Sequence, residues 1–178
     1  MLLLTLRLAG SVPAAATRAL REAHAAAPAT GEAHHRAQKA LFAQLDAALD
    51  HPTTGPRWFE DEKMAEILAG EISLLTENGF EVPGFSILPN HAHAVLHLPP
   101  GHGLSLPKAL DLLHLRSGTA CRRLVRPKLP PEALFWHPSW HEVPLPDADE
   151  TARALAYVRG NARRAGLPAR FGEWPYAG

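Results

Sequence analysis

Two apolar-rich runs separated only by Pro89-Asn90, between Phe80 and Leu98, constrain the fold more than any other feature of the chain. Runs of this length bounded by turn residues read as the two strands of a hairpin, Phe80 to Leu88 and His91 to Leu98. Side chains alternate faces along a strand. Ala92, Ala94, Leu96 and Leu98 therefore form one uniformly apolar face, which has to pack on a core. His91, His93, Val95 and His97 share the opposite face.

The rest of the chain supplies helices and two more strands. Residues 2–8 read as a first strand, ended by Gly10 and Pro13. From Ala14 to Asp50 the composition favours two helices split near Pro28 to Gly31, with Ala37, Leu41, Leu45 and Leu49 as an apolar stripe and Phe42 beside it. A helix from about Asp61 to Asn78 opens on acidic residues and stops at Asn78-Gly79. Another runs from Leu104 to about Val125, a short strand lies near Trp140 to Leu145, and Asp147 caps a last helix through about Ala165. The order predicts an α+β sandwich with a mostly antiparallel sheet. With 178 residues the chain reads as a single domain, 1–178, with a helical insertion at about 14–50.

Charge and cysteine content narrow the setting. The net charge is zero, which by itself does not favour a nucleic-acid partner, but the distribution is uneven. Residues 1–84 hold 7 Lys/Arg against 11 Asp/Glu, and residues 85–178 hold 11 against 7. Local positive clusters rather than whole-molecule charge grip a phosphate backbone, so the asymmetry permits nucleic-acid binding at the C-terminal half. One cysteine, Cys121, excludes an internal disulfide and a cysteine-rich zinc site, and fits a reducing cytoplasm. No apolar stretch approaches the ~20 residues that span a bilayer, and the opening Met1-Leu2-Leu3-Leu4-Thr5-Leu6-Arg7-Leu8 reads as a strand rather than a leader.

The residues able to do chemistry lie in two places. His91 and His93, at i and i+2 on one strand face, can point two imidazoles into one metal site. His97 shares that face, but its distance along the strand suits a supporting or merely exposed role. On the last helix Tyr157 and Asn161 stand one turn apart on the same face. A phenol attacks only when a metal polarises its target or a base takes its proton, and an asparagine oxygen can join a metal shell. Either pair alone also has an ordinary structural explanation. Arg122, Arg123, Arg126 and Lys128 form one basic cluster, and Arg159, Arg163, Arg164 and Arg170 another. Trp136, Trp140 and Trp174 are available between them as stacking surfaces or as core residues.

Taken in order, Leu88-Pro89-Asn90-His91-Ala92-His93, then Phe135-Trp136-His137, then Tyr157-Val158-Arg159-Gly160-Asn161-Ala162-Arg163-Arg164-Ala165-Gly166-Leu167, then Glu173-Trp174-Pro175-Tyr176 resemble the REP-associated tyrosine transposases of the HUH single-tyrosine superfamily. The opening Leu4-Thr5-Leu6-Arg7-Leu8 also fits that family's first strand. Three positions depart from the pattern: Ala162 where the family usually has Pro, His137 where Gln is common, and Ala177 in place of Ser.

The resemblance implies a ferredoxin-like fold with His91 and His93 as metal ligands, Tyr157 as nucleophile and Asn161 completing the site. It implies Mg²⁺ or Mn²⁺ as cofactor and single-stranded or hairpin DNA as partner. The implied activity is that of a DNA nickase and ligase: cleavage beside a REP-like hairpin, with the 5′ end left on the tyrosine and a 3′ hydroxyl freed. Arg122, Arg123, Arg126, Lys128, Arg159, Arg163 and Arg164 are the expected DNA contacts. A bacterial, nucleoid-associated protein without a membrane partner, acting as monomer or homodimer, fits this picture. A catalytically inactive nucleic-acid-binding protein retaining the fold is the alternative.

Overall fold

Alternation in the hairpin produces the expected pair of strands, and the chain closes a four-stranded sheet around it. The computed structural model describes residues 1–52, 54–101, 104–125 and 128–178. Strand β1 (Leu2–Arg7) leads into helices α1 (Ala14–Ala26), α2 (Gly31–Asp50) and α3 (Glu62–Glu77). Strands β2 (Glu81–Leu88) and β3 (His91–His97) follow, then α4 (Leu106–Val125), β4 (His141–Pro144) and α5 (Ala148–Arg164). As expected, Asp147 caps α5 by accepting from the Glu150 amide at 2.7 Å, and Asp61 caps α3 in the same way from Lys63.

The sheet order is β2-β3-β1-β4, with all neighbours antiparallel. β1 and β2 therefore run parallel with β3 between them, and β3 and β4 run parallel with β1 between them. Each is a split β-α-β unit. The fold is α+β and ferredoxin-like, with α1 and α2 inserted between β1 and α3.

Register explains why one sheet face is a core and the other a site. Leu4 and Leu6 of β1, Phe85 and Ile87 of β2, and Ala92, Ala94 and Leu96 of β3 point to one side. There they pack on Leu68 and Ile72 of α3 and Leu110 and Leu113 of α4. Cys121 belongs to this core, where burial, with Asp61 adding to it, pushes the thiol up to about 12, so it is unreactive at neutral pH.

The opposite face is covered too. Leu3, Val95 and Val143 form one cross-strand row under Ala154 and Val158 of α5. Gly84 extends that row in β2, where a Cβ would stand 3.1 Å from Leu155 Cδ2, so glycine lets α5 approach the sheet. The next row is Ser86–His93–Thr5–His141, and the next Leu88–His91–Arg7. Helix α2 reaches over these polar rows, joined to α5 by the Lys39–Glu150 ion pair at 2.8 Å. Its stripe is Gln38, Leu41, Leu45 and Leu49, with Ala37 less buried than the pattern suggests. Among the described residues, no helix is long and apolar enough to cross a membrane.

Candidate metal centre

β3 presents His91 and His93 under α2 and α5, and both are fully buried. Their Nε2 atoms stand 3.1 Å apart, and Asp46 Oδ1, from α2, lies 3.1 Å from His93 Nε2. Asp46, His91 and His93 each offer one ligand atom, and these atoms lie within 4.8 Å of one another, a group that can hold a metal ion.

The far side of each ring is anchored. His91 Nδ1 lies 2.7 Å from Asn90 Oδ1, and Asn90 in turn donates from Nδ2 to the Leu49 carbonyl at 3.0 Å. An amide oxygen only accepts, so His91 Nδ1 carries a proton and its Nε2 presents a lone pair. Burial, and the neighbouring His93, hold the His91 pKa well below its ordinary value, so the ring is neutral. His93 Nδ1 meets the Thr5 hydroxyl at 3.0 Å, a partner that can donate or accept. Burial pushes the Asp46 carboxyl up, but the His93 hydrogen bond and the charges around it outweigh this and bring it below the ordinary value.

Two imidazoles and a carboxylate, braced from behind, suit a divalent ion of borderline or hard character. The donor set therefore fits a divalent metal ion. Asp46 was not anticipated from the sequence. It follows Leu45 of the apolar stripe and falls four residues after Phe42 and four before Asp50, a second stripe turned towards the sheet.

Tyr157 comes from α5. Its ring centroid lies 5.7 Å from that of His93 and 5.4 Å from that of Phe42. The Arg164 guanidinium carbon covers the ring at 3.8 Å. The hydroxyl is buried and makes no hydrogen bond of standard geometry. Burial and the adjacent Asp46 carboxylate, with Asp50 adding to them, hold the phenol well above its ordinary pKa, against the opposing pull of Arg164. Burial, then Asp46, raises the Asp50 pKa as well, and Asp50 Oδ1 is buried without a partner.

The other tyrosine, Tyr176, packs on Phe171 and donates to the Glu60 carbonyl at 3.3 Å. Asn161 is buried one turn after Tyr157; its Oδ1 accepts from Arg164 Nη2 at 2.5 Å, and its Nδ2 has no partner. His97 turns to Glu81 at 3.2 Å and is not in the metal group.

The basic residues divide in the same way. Arg122 donates to the carbonyls of Ala133, Pro130 and Pro131 and so ties down its own loop. Arg123, Lys128, Arg159 and Arg163 are exposed, and Arg164 covers Tyr157. Arg126 lies outside the described residues. Trp136 is a core residue that donates to Ser117 Oγ at 3.0 Å, whereas Trp174 is exposed.

The chain is similar in fold to a REP-associated tyrosine transposase whose structure was solved bound to a REP hairpin. The TM-score is 0.51 at 14% sequence identity, over 99% of this chain and 74% of that one. At that identity the likeness establishes the fold. No protein-family model matches the chain, and no curated protein matches it.

Proposed function

We propose that this protein is a metal-dependent single-tyrosine DNA strand transferase that cuts single-stranded DNA beside a hairpin through a 5′-phosphotyrosine intermediate. The observation that carries the reading is the meeting of Tyr157 with Asp46, His91 and His93 under one sheet face within a single chain. The fold shared with a transposase solved on a REP hairpin supports it. Residues 1–178 act as one domain, and the 14–50 insertion supplies Asp46 to the site.

His91, His93 and Asp46 would hold Mg²⁺ or Mn²⁺, with Asn161, whose oxygen Arg164 now binds, as the further candidate ligand. Such an ion supplies Lewis-acid polarisation of the scissile phosphate. The Tyr157 oxygen forms a bond to phosphorus as the bond from phosphorus to the 3′ oxygen breaks. The phenolic proton passes to a carboxylate of the Asp46/Asp50 pair, and the leaving oxygen takes up a proton to become the 3′ hydroxyl. Reversal with another 3′ hydroxyl rejoins the strand. Arg123, Lys128, Arg159 and Arg163 are exposed cations available to the DNA backbone.

The test is incubation of the protein with a hairpin-bearing single strand and Mn²⁺. A covalent protein–DNA adduct forms with the native chain and disappears in Tyr157→Phe; an adduct that persists in that variant sinks the assignment. The second reading, a non-catalytic nucleic-acid-binding protein of the same fold, draws on the raised phenol pKa and the zero net charge. It predicts hairpin binding indifferent to chelator and no cleavage.

A further inference from the structure

A pocket of about 350 Å³ opens on the same sheet face as the histidines, between β1, β4 and helices α1 and α2. Thr5 is common to the pocket and the metal centre: it lines the pocket and contacts His93 Nδ1. Arg7 from β1 and Arg21 from α1 also line it, along with His137 and Trp140, and none of its lining residues is acidic.

Arg7 is the unusual member. The residue is buried, at 7% exposure, yet among the described residues no carboxylate or carbonyl accepts from its guanidinium, whose nitrogens reach the pocket space. A charge taken out of water without a counter-charge is costly, and an anion seated against it removes that cost. Burial, and Arg21 close by, lower the Arg7 pKa to about 10, which leaves it charged at neutral pH. Across the β1–β3 ladder Arg7 is paired in register with His91. Residues so paired have Cβ atoms roughly 5 Å apart, so Arg7 leaves the sheet beside His91 while its guanidinium lines the pocket with Arg21 and His137.

We propose that this pocket is an anion subsite that seats a phosphodiester of the single strand next to the one at the metal centre. Arg7 is its fixed buried donor and Arg21 the second cation, on α1. A guanidinium's planar fork matches two phosphate oxygens. Leu20 and Trp140 give the pocket an apolar wall on which a sugar or base can lie. The proposal rests on the strand-transferase reading for its ligand, because a bound inorganic phosphate or small phosphate ester would present the same oxygens.

The test is fluorescence anisotropy with a labelled hairpin-bearing single strand, in a Tyr157→Phe background without metal, across a salt series. Arg7→Gln and Arg21→Gln should each weaken binding about tenfold or more. Each should also reduce the slope of log affinity against log salt by about 1, as loss of one phosphate contact requires. Arg36→Gln, on the exposed side of α2, should change neither. Arg21 is exposed, so its variant carries the test if Arg7→Gln does not fold.

Unchanged affinity and slope in Arg21→Gln and in a folded Arg7→Gln overturn the proposal. So does an arm in which inorganic phosphate or a nucleoside monophosphate binds in an Arg7-dependent way while strand binding does not depend on Arg7. A normal Tyr157 adduct with both variants binding like the native chain rejects the subsite alone. Arginine-dependent strand binding without any adduct rejects the transferase reading and leaves the subsite standing.

Discussion

His91 Nε2 and His93 Nε2 stand 3.1 Å apart, a distance at which two lone pairs repel unless a proton or a cation lies between them. Asn90 fixes the His91 proton on Nδ1, so the shared proton belongs to His93 Nε2, between His91 Nε2 and Asp46 Oδ1. A divalent ion held by this group would take that place; the proton would then sit on His93 Nδ1, and the Thr5 hydroxyl would turn from donor to acceptor.

Metal binding should therefore stabilise the fold with a change of His93 tautomer and no net release of a proton from that ring. At Mn²⁺ a hundred times its dissociation constant, the gain is about 2.7 kcal/mol. Thermal unfolding with Mn²⁺ and with chelator measures the gain, and binding enthalpies that agree across buffers of different ionisation enthalpy check that no proton is released. Asp46→Asn should lose most of the metal-dependent shift. An undiminished shift in that variant would show that the ion binds elsewhere.

Asn90 touches no metal in this scheme, yet it selects the His91 tautomer and secures the ring to α2 through the Leu49 carbonyl. Asn90→Ala should weaken Mn²⁺ binding by about 10–100-fold, the usual cost of removing such a support. Asn90→Asp, which also accepts from Nδ1–H, should recover part of the loss. Titration of Mn²⁺ by electron paramagnetic resonance distinguishes the three proteins, and equal affinities would refute the support.

Much of this site was legible in the sequence, and the missing part has a physical reason. Period-two alternation places His91 and His93 on one face, and helical spacing places Asn161 one turn after Tyr157, whatever surrounds them. Asp46 was hidden because a candidate ligand on a distant helix is recognisable only once that helix is docked. Its stripe, Phe42–Asp46–Asp50, runs beside the apolar stripe that determines how α2 sits. Burial of the histidine face was equally hidden: in a two-layer sandwich that face would be open, and its cover comes from α2 and α5 folding across it. The choice for Trp136 between a stacking surface and a core residue stayed open in the sequence, because composition cannot distinguish an exposed indole from one donating to Ser117 in the core.

Arg164 lies over the Tyr157 ring at 3.8 Å and is the cation that opposes the upward shift of the phenol pKa. Arg164→Gln removes that opposition, so less phenolate forms at a given pH. Adduct formation should slow several-fold, in line with about 0.5–1 kcal/mol for an exposed cation–π contact. Arg164→Lys, which keeps the charge but not the planar stack, should fall between the two. The same variant releases Asn161 Oδ1. Single-turnover rates across pH measure the effect, and a rate equal to the native one would remove Arg164 from any role in tuning the nucleophile.

His114 gives a prediction about stability. Its ring stacks on Trp136 with centroids 5.0 Å apart and planes 11° from parallel, and its Nε2 is buried without a partner. Burial lowers its pKa to about 4, with Asp111 pulling up and His137 pushing down. The unfolded chain has an ordinary histidine there, near 6.5. Between those values the unfolded state binds more protons, so stability rises with pH across that window. The contribution is complete above about 6.5 and disappears as pH falls towards 4, amounting to at most about 3 kcal/mol. His114→Phe keeps a ring on Trp136 and has nothing to protonate. Urea unfolding at pH 7 and pH 4.5 should show a smaller loss of stability for the variant than for the native chain. Equal losses would mean that the His114 proton does not couple to folding.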